Sequence, residues 1–189
     1  MKLHLGCGKR ELNGFLHIDI ADFPHISHRS SVDNLDFIKS ETVDEIYTSH
    51  TFEYFDRVEA NSVLMEWNRV LKPNGRLYIT VPDFDKLILI YKESKELQSI
   101  TGPLFGRWTN PNSSILLFHK TVWNFSDLTD TLKFNGFEDV KKFDPVNYLQ
   151  QIDPSYDDHS LAFYPHMDRS GIQVSLAVCA VKNKQGFNA

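Results

Sequence analysis

Between Leu3 and Phe143, short apolar runs alternate with segments whose apolar residues recur at helical spacing. That alternation predicts an α/β chain built on a parallel sheet. Four runs read as strands: residues 3–5, 16–20, 44–48 and 76–81. They hand over to small or polar residues at their carboxyl ends, where open parallel sheets place their ligands: Gly6-Cys7-Gly8, Asp19, Ser49-His50 and Pro82-Asp83.

The best-signed helix lies between the last two of these runs. Asp56 and Glu59 have the spacing of a capping box, and Ala60, Val63, Leu64, Trp67, Val70 and Leu71 form one apolar stripe. Lys72-Pro73-Asn74-Gly75 then stops it, because proline cannot continue the ladder and glycine is free to turn. A further helix follows Asp83 or Asp85, carries Leu87, Ile88 and Tyr91 on one face, and fades near Leu97. Over residues 99–124 the period is lost, which predicts a long loop whose Leu104, Phe105, Trp108, Leu116, Leu117 and Phe118 pack on something. Ser126 reads as the cap of a short helix ending at Asn135-Gly136, residues 138–143 as a strand, and residues 144–171 as a second irregular stretch. The almost wholly apolar residues 173–181 read as a central strand.

Composition narrows the class of function. The 189 residues, 41% of them hydrophobic, suffice for one domain with a real core. A formal charge of −5, with basic residues no denser than Lys9-Arg10 and Lys141-Lys142, argues against nucleic acid, whose phosphates need clustered positive charge. Cys7 and Cys179 read as free thiols of an intracellular protein. The first residues run straight into the glycine pair, without the apolar stretch of about 7–15 residues that a signal peptide carries. No run approaches the roughly 20 apolar residues of a membrane span, so the expected location is the cytoplasm.

Gly6-Cys7-Gly8 lets a ligand approach the backbone closely, but many loops carry two glycines for local turns. The dinucleotide fingerprint asks for a third glycine three residues on and an acid about 20 residues later. Glu11 stands where that glycine belongs, and Asp19 comes too early. A diphosphate cofactor therefore fits badly. The ligand left is one with a ribose for the carboxylate and no pyrophosphate to cradle.

Four segments in order carry a family resemblance: Leu3-His4-Leu5-Gly6-Cys7-Gly8, the acid of His17-Ile18-Asp19-Ile20, Val43-Asp44-Glu45-Ile46-Tyr47-Thr48-Ser49-His50, and Leu71-Lys72-Pro73-Asn74-Gly75-Arg76-Leu77. Together they resemble the class I S-adenosylmethionine-dependent methyltransferases, and among them the short members found with surface-polysaccharide synthesis genes. The resemblance is detailed over residues 3–83 and holds only in layout beyond. It implies a Rossmann-like sheet of seven strands, six parallel, with the last antiparallel beside the fifth. It divides the single domain into a cofactor-binding half, residues 1–83, and an acceptor-recognition half, residues 84–189.

By the same resemblance, S-adenosylmethionine would be the cofactor and S-adenosylhomocysteine the product. The backbone of Gly6, Cys7 and Gly8 would pass under the methionine and ribose portions, and Asp19, with Ile20 beside it, would meet the ribose hydroxyls. Asp33, Asn34 and Leu35, after a third strand at residues 30–32, would read adenine, and Ser49 and His50 would end beside the sulfonium. His50 or His119 would take the proton of a hydroxyl acceptor, histidine being the side chain suited to this near neutral pH. The acceptor would be a small polar molecule, a sugar or nucleotide-linked intermediate of surface-glycan synthesis.

The sequence departs from the pattern in three places. Residues 8–15 are too short for the full helix that normally follows the glycine loop, so the first helix is shortened and helix-dipole help for the cofactor carboxylate is reduced. Lys9 or Arg10 can supply that charge instead, and a solvated role is as open to each. Glu53-Tyr54 replaces an acid–histidine pair, removing one candidate base, and Asn74 replaces a glycine. For His50 and His119 a structural role stands beside the catalytic one. Asp83 reads as a helix cap before it reads as a base. His25 and His28 lack a third ligand at metal spacing. Tyr156-Asp157-Asp158-His159 reads as surface, or as acceptor-pocket wall if its stretch folds over the sheet. Two rivals remain: a cofactor-binding module without chemistry, and a nicotinamide oxidoreductase, already weakened by the failed fingerprint.

Overall fold

The computed structural model describes residues 1–165 and 170–183. Its centre is a seven-stranded sheet of β1 (Lys2–Leu5), β2 (Leu16–Asp19), β3 (His28–Arg29), β4 (Val43–Ser49), β5 (Leu71–Pro82), β8 (Phe137–Lys142) and β11 (Ser175–Lys182). The strand order is β3-β2-β1-β4-β5-β11-β8. β11 runs antiparallel to both of its neighbours, and the other pairings are parallel. This is the Rossmann-like arrangement expected, with the antiparallel last strand beside the fifth.

Helix α1 (Glu59–Val70) begins as the sequence indicates. Asp56 Oδ1 accepts from the Glu59 backbone N–H at 2.9 Å, and Glu59 Oε2 accepts from the Asp56 N–H at 2.8 Å. Its stripe of Ala60, Val63, Leu64, Trp67 and Val70 is buried against Leu3, Leu5, Ile18, Ile46 and Leu77 of the sheet. Each fully buried Leu or Val there contributes about 1.5–3 kcal/mol. Trp67 also donates its indole N–H to the Val32 carbonyl at 2.8 Å. α4 (Phe125–Phe134) covers the same face through Leu128 and Leu132. Residues 72–75 bulge out of β5, with Asn74 at φ 65°, before the strand resumes against β4 at Arg76.

Several expectations are corrected. The third strand is His28–Arg29, not residues 30–32. Between β1 and β2 there is no helix at all, only turns. The expected loop at 99–124 holds α3 (Gln98–Phe105) and a hairpin of β6 (Trp108–Thr109) and β7 (Leu116–Leu117). α4 is capped by Asn124, whose side chain accepts from the Asp127 N–H at 2.9 Å, because Asn124 keeps an extended backbone while Ser126 is already helical. The second irregular stretch contains α5 (Pro145–Ile152), a 3-10 turn (His159–Leu161) and β9 (Phe163–Pro165), which pairs with β10 (Gly171–Gln173); its residues 166–169 lie outside the described ones. α2 (Phe84–Ser94) starts at Asp83, whose carboxylate caps it by accepting from the Asp85 N–H. No helix among the described residues is long and apolar enough to cross a membrane.

The face opposite α1 has a different character. His17, His4, Tyr47 and Tyr78 pair across β2, β1, β4 and β5 to form one row. In place of a first helix, α5, the 3-10 turn and the residues between them cover this row through Leu149, Tyr148, Tyr156 and Leu161. Tyr148 stacks on Tyr78 with ring centroids 4.3 Å apart. The Tyr47 hydroxyl donates to Asp158 Oδ2 at 2.6 Å.

Candidate active site

The carboxyl ends of β1, β2 and β4 open into a cavity of about 740 Å³. Its floor is the loop after β1. Gly6 sits at φ 64°, and a Cβ there would lie 2.1 Å from Thr51 Oγ1, so the loop can pass under Thr51 only as glycine. Gly8, at φ 55°, has no atom within 4 Å of where a Cβ would be. Its backbone therefore faces open space on the cavity wall. Asp19, buried at 6% exposure, pins this loop to the end of β2: one carboxylate oxygen accepts from the Gly8 N–H and the other from the Ala21 N–H, both at 2.8 Å. Each oxygen retains a lone pair for a further donor.

α3 and the β6–β7 hairpin form the roof, with Gly106, Arg107 and Trp108 on the inner side. The hairpin is latched to the loop after β2 by the Asp22 N–H donating to Asn112 Oδ1 at 2.7 Å and the Asn110 amide donating to the Ile20 carbonyl at 3.4 Å. Of the residues singled out in the sequence, Gly6, Cys7, Gly8, Asp19, Ile20, Asp33, Ser49, His50 and His119 share the cavity wall. Asn34 and Leu35 do not. Leu35 is fully buried in the core, with its N–H donated to Glu66 Oε1 at 2.8 Å, and Asn34 is exposed outside. Because β3 ends at Arg29, the following turn presents Ser31, Val32 and Asp33 instead.

Behind the far wall, between His50 and His119, lies Glu53, which the sequence marks only through its pairing with Tyr54. Glu53 is completely buried, and neither carboxylate oxygen has a hydrogen bond. His50 Nδ1 lies 3.4 Å and His119 Nε2 3.7 Å from Glu53 Oε1. The outer nitrogens of both rings are engaged. The Ser175 hydroxyl donates to the His159 carbonyl, so it accepts from His50 Nε2–H at 2.7 Å. A carbonyl can only accept, so His119 Nδ1–H donates to Pro103 at 2.9 Å. The inner ring nitrogens, His50 Nδ1 and His119 Nε2, therefore both face Glu53 Oε1. His119 fits there because Gly106, at φ 50°, has no side chain; a Cβ would lie 2.2 Å from His119 Nε2. Tyr54, its ring edge-on to His119, is pushed up to about 12 by burial and then by Glu53.

Tyr156, Asp158 and His159, read from the sequence as surface or as pocket wall, line the cavity. Burial lowers the proton affinity of His4 well below the ordinary histidine value, and lowers those of His17 and His159. Cys7 is pushed up by burial and by Asp19, so it stays a thiol. His25 approaches the Gly8 carbonyl at 3.1 Å while His28 stacks on Phe37, so the two do not converge on a common ligand. Asp83 lies outside the cavity, and burial raises its carboxyl.

Residues 21–79 match a family model described as a methyltransferase domain. No curated protein matches the chain in sequence. Among solved structures it is similar to an S-adenosylmethionine-dependent methyltransferase of Thermotoga maritima, at 16% identity and TM-score 0.57 over 96% of this chain and 81% of that one. It is similar also to one from Archaeoglobus fulgidus, at 15% identity and TM-score 0.56 over 96% and 85%. A third is the Burkholderia thailandensis 1,6-didemethyltoxoflavin-N1-methyltransferase, solved with 1,6-didemethyltoxoflavin and S-adenosylhomocysteine, at 13% identity and TM-score 0.55 over 96% and 70%. At these identities the structures establish the shared fold. The matched segment, about a third of the chain, and the shared fold together support S-adenosylmethionine-dependent methyl transfer.

Proposed function

We propose that this methyltransferase alkylates a hydroxyl or amine of a small polar acceptor, a sugar or nucleotide-linked intermediate of surface-glycan synthesis, in the cytoplasm. The observation that carries the reading is that one cavity joins the glycine loop and Asp19 to His50 and His119, with Glu53 buried behind them. The residues present fit the cofactor: Gly8 opens its backbone to the cavity, and Asp19 keeps lone pairs for two hydroxyls. When bound, S-adenosylmethionine supplies an electrophilic methyl carbon on a positively charged sulfur. The chain's part is to hold the acceptor in line with that carbon, which accounts for much of the rate of such a displacement. His50 and His119 are the groups on the cavity wall placed to receive the acceptor's proton, with the Glu53 carboxylate behind them to orient the rings. Trp108 and Tyr156 offer aromatic faces to a glycosyl acceptor. The glycan assignment itself rests on the four sequence segments.

The rival, a cofactor-binding module without chemistry, draws on the same engaged histidine nitrogens; turnover separates the two. The primary test is calorimetry with S-adenosylhomocysteine on the wild type and Asp19→Ala, with mass spectrometry of any small molecule released on heating. The expected result is a loss of affinity of tenfold or more in the variant, matching at least one lost charge-assisted hydrogen bond. No binding to the wild type at millimolar ligand, or equal affinity in the variant, overturns the site. Incubation with nucleotide sugars then tests the acceptor class by formation of S-adenosylhomocysteine.

A further inference from the structure

An anion bound beside a glycine loop is ordinarily met by the first turn of the following helix, whose free N–H groups and dipole favour negative charge. This chain forms no helix between β1 and β2. The cofactor proposed above ends in an α-amino carboxylate, and its charge needs another partner. Of the two basic residues on the loop, Lys9 is exposed and absent from the cavity wall, whereas Arg10 lies on it.

Arg10 is held rather than solvated. Its backbone N–H donates to the Cys7 carbonyl at 3.1 Å, and its Nε–H donates to the Asp157 carbonyl at 2.7 Å. That anchor is a neutral backbone oxygen, and no carboxylate pairs with Arg10 among the described residues. The charge is therefore uncompensated. With Nε engaged, the two terminal nitrogens remain as a flat fork of four N–H donors, the geometry that meets a carboxylate through two parallel hydrogen bonds. The guanidinium charge also reaches inward, helping to lower His4 and His159 and opposing the upward shift of Tyr156, all three on the cavity wall. Lys120, a cation elsewhere on that wall, is already paired with Glu59 at 2.8 Å.

We propose that Arg10 binds the carboxylate of the cofactor's methionine arm, taking the place of the absent helix N-terminus. The inference rests on the cofactor reading above. It also ties the site to the 156–161 segment, since Asp157 is what orients the fork.

The test compares two ligands that share the adenosine portion: S-adenosylhomocysteine, which carries the carboxylate, and 5′-methylthioadenosine, which lacks it. Calorimetry on the wild type, Arg10→Ala and Arg10→Lys reads both. Arg10→Ala should weaken S-adenosylhomocysteine about ten- to hundredfold, as loss of a charge-assisted contact does, and leave 5′-methylthioadenosine within about twofold. Arg10→Lys should restore part of the lost affinity, because it keeps the charge and loses the fork. Equal loss for both ligands, or no loss for either, overturns the role of Arg10 while the cofactor reading stands. Failure of the wild type to bind either ligand overturns the cofactor reading itself.

Discussion

Tyr47→Phe isolates the contact that seats the 156–161 segment on the sheet. Tyr47 is fully buried, and its hydroxyl is held protonated, first by burial and then by Asp158, so it acts as a donor. Asp158, 4% exposed, receives the Ser160 N–H and hydroxyl on Oδ1, while Oδ2 receives the Tyr47 hydroxyl. Phenylalanine keeps the ring contacts with His4 and Tyr148 but removes the donor to Oδ2. A buried charged acceptor left short of a partner costs about 1.5–3 kcal/mol. For a chain of 189 residues the unfolding entropy near the midpoint is about 0.4 kcal/mol per kelvin, so Tm should fall by about 4–8 °C. Scanning calorimetry at pH 7.5 measures this, and urea unfolding should show a lower midpoint at unchanged slope. The double variant Tyr47→Phe/Asp158→Asn should recover part of the loss, since the unpaired charge is then gone. A Tm within about 1 °C of the wild type would refute the view that this hydrogen bond holds the segment in place.

Acidification gives a second prediction. The unfolded chain takes up protons near pH 6.5 that buried His4 refuses in the fold, so stability is full above that value and falls as pH drops towards 5.5. His4 contributes up to about 1.4 kcal/mol per pH unit, a Tm decrease of roughly 3 °C over that unit, and His4→Gln should flatten the slope; a wild-type Tm that holds or rises would contradict this. Two glycines in and just after α3 should respond oppositely to alanine. Gly106→Ala puts a Cβ against His119 at positive φ and should lower Tm, whereas Gly102, helical with open space around it, should gain about 0.5–1 kcal/mol. The same sign of change in both variants would count against the packing argument.

Where signals are local, the sequence is legible. The capping box at Asp56 and Glu59 joins residues three apart, and strands β1, β2, β4 and β5 announce themselves by apolar runs that stop at Gly6, Asp19, Ser49 and Pro82. β3 leaves no signal because it is two exposed residues at the sheet edge, with no alternation to read. α3 escaped because Gly102 and Pro103, both breakers by propensity, sit inside it. Glu53 was read only through its neighbour Tyr54, as a pair that had lost its histidine. In the fold the histidine comes from His119 instead, a contact between residues far apart in the chain that no local pattern encodes.

The missing first helix explains more than it removes. A helix packed on that face would bury an apolar stripe against the row His17, His4, Tyr47 and Tyr78, and would leave their polar atoms without partners. The loop after β1 and the covering segment instead bring polar partners to three of the four. The Leu12 N–H donates to His17 Nε2 at 2.8 Å, Tyr156 approaches His4 at 3.5 Å, and Asp158 accepts from Tyr47. The polar strand positions, the short loop after Gly8 and the stretch that looked like irregular surface are therefore consequences of one change. Because the covering segment arrives from the far end of the chain, it carries Tyr156, Asp158 and His159 to the cavity wall and fixes Arg10 through Asp157. The segment that closes the core on that face also shapes the ligand site, so substitutions along it should disturb stability and cofactor affinity together.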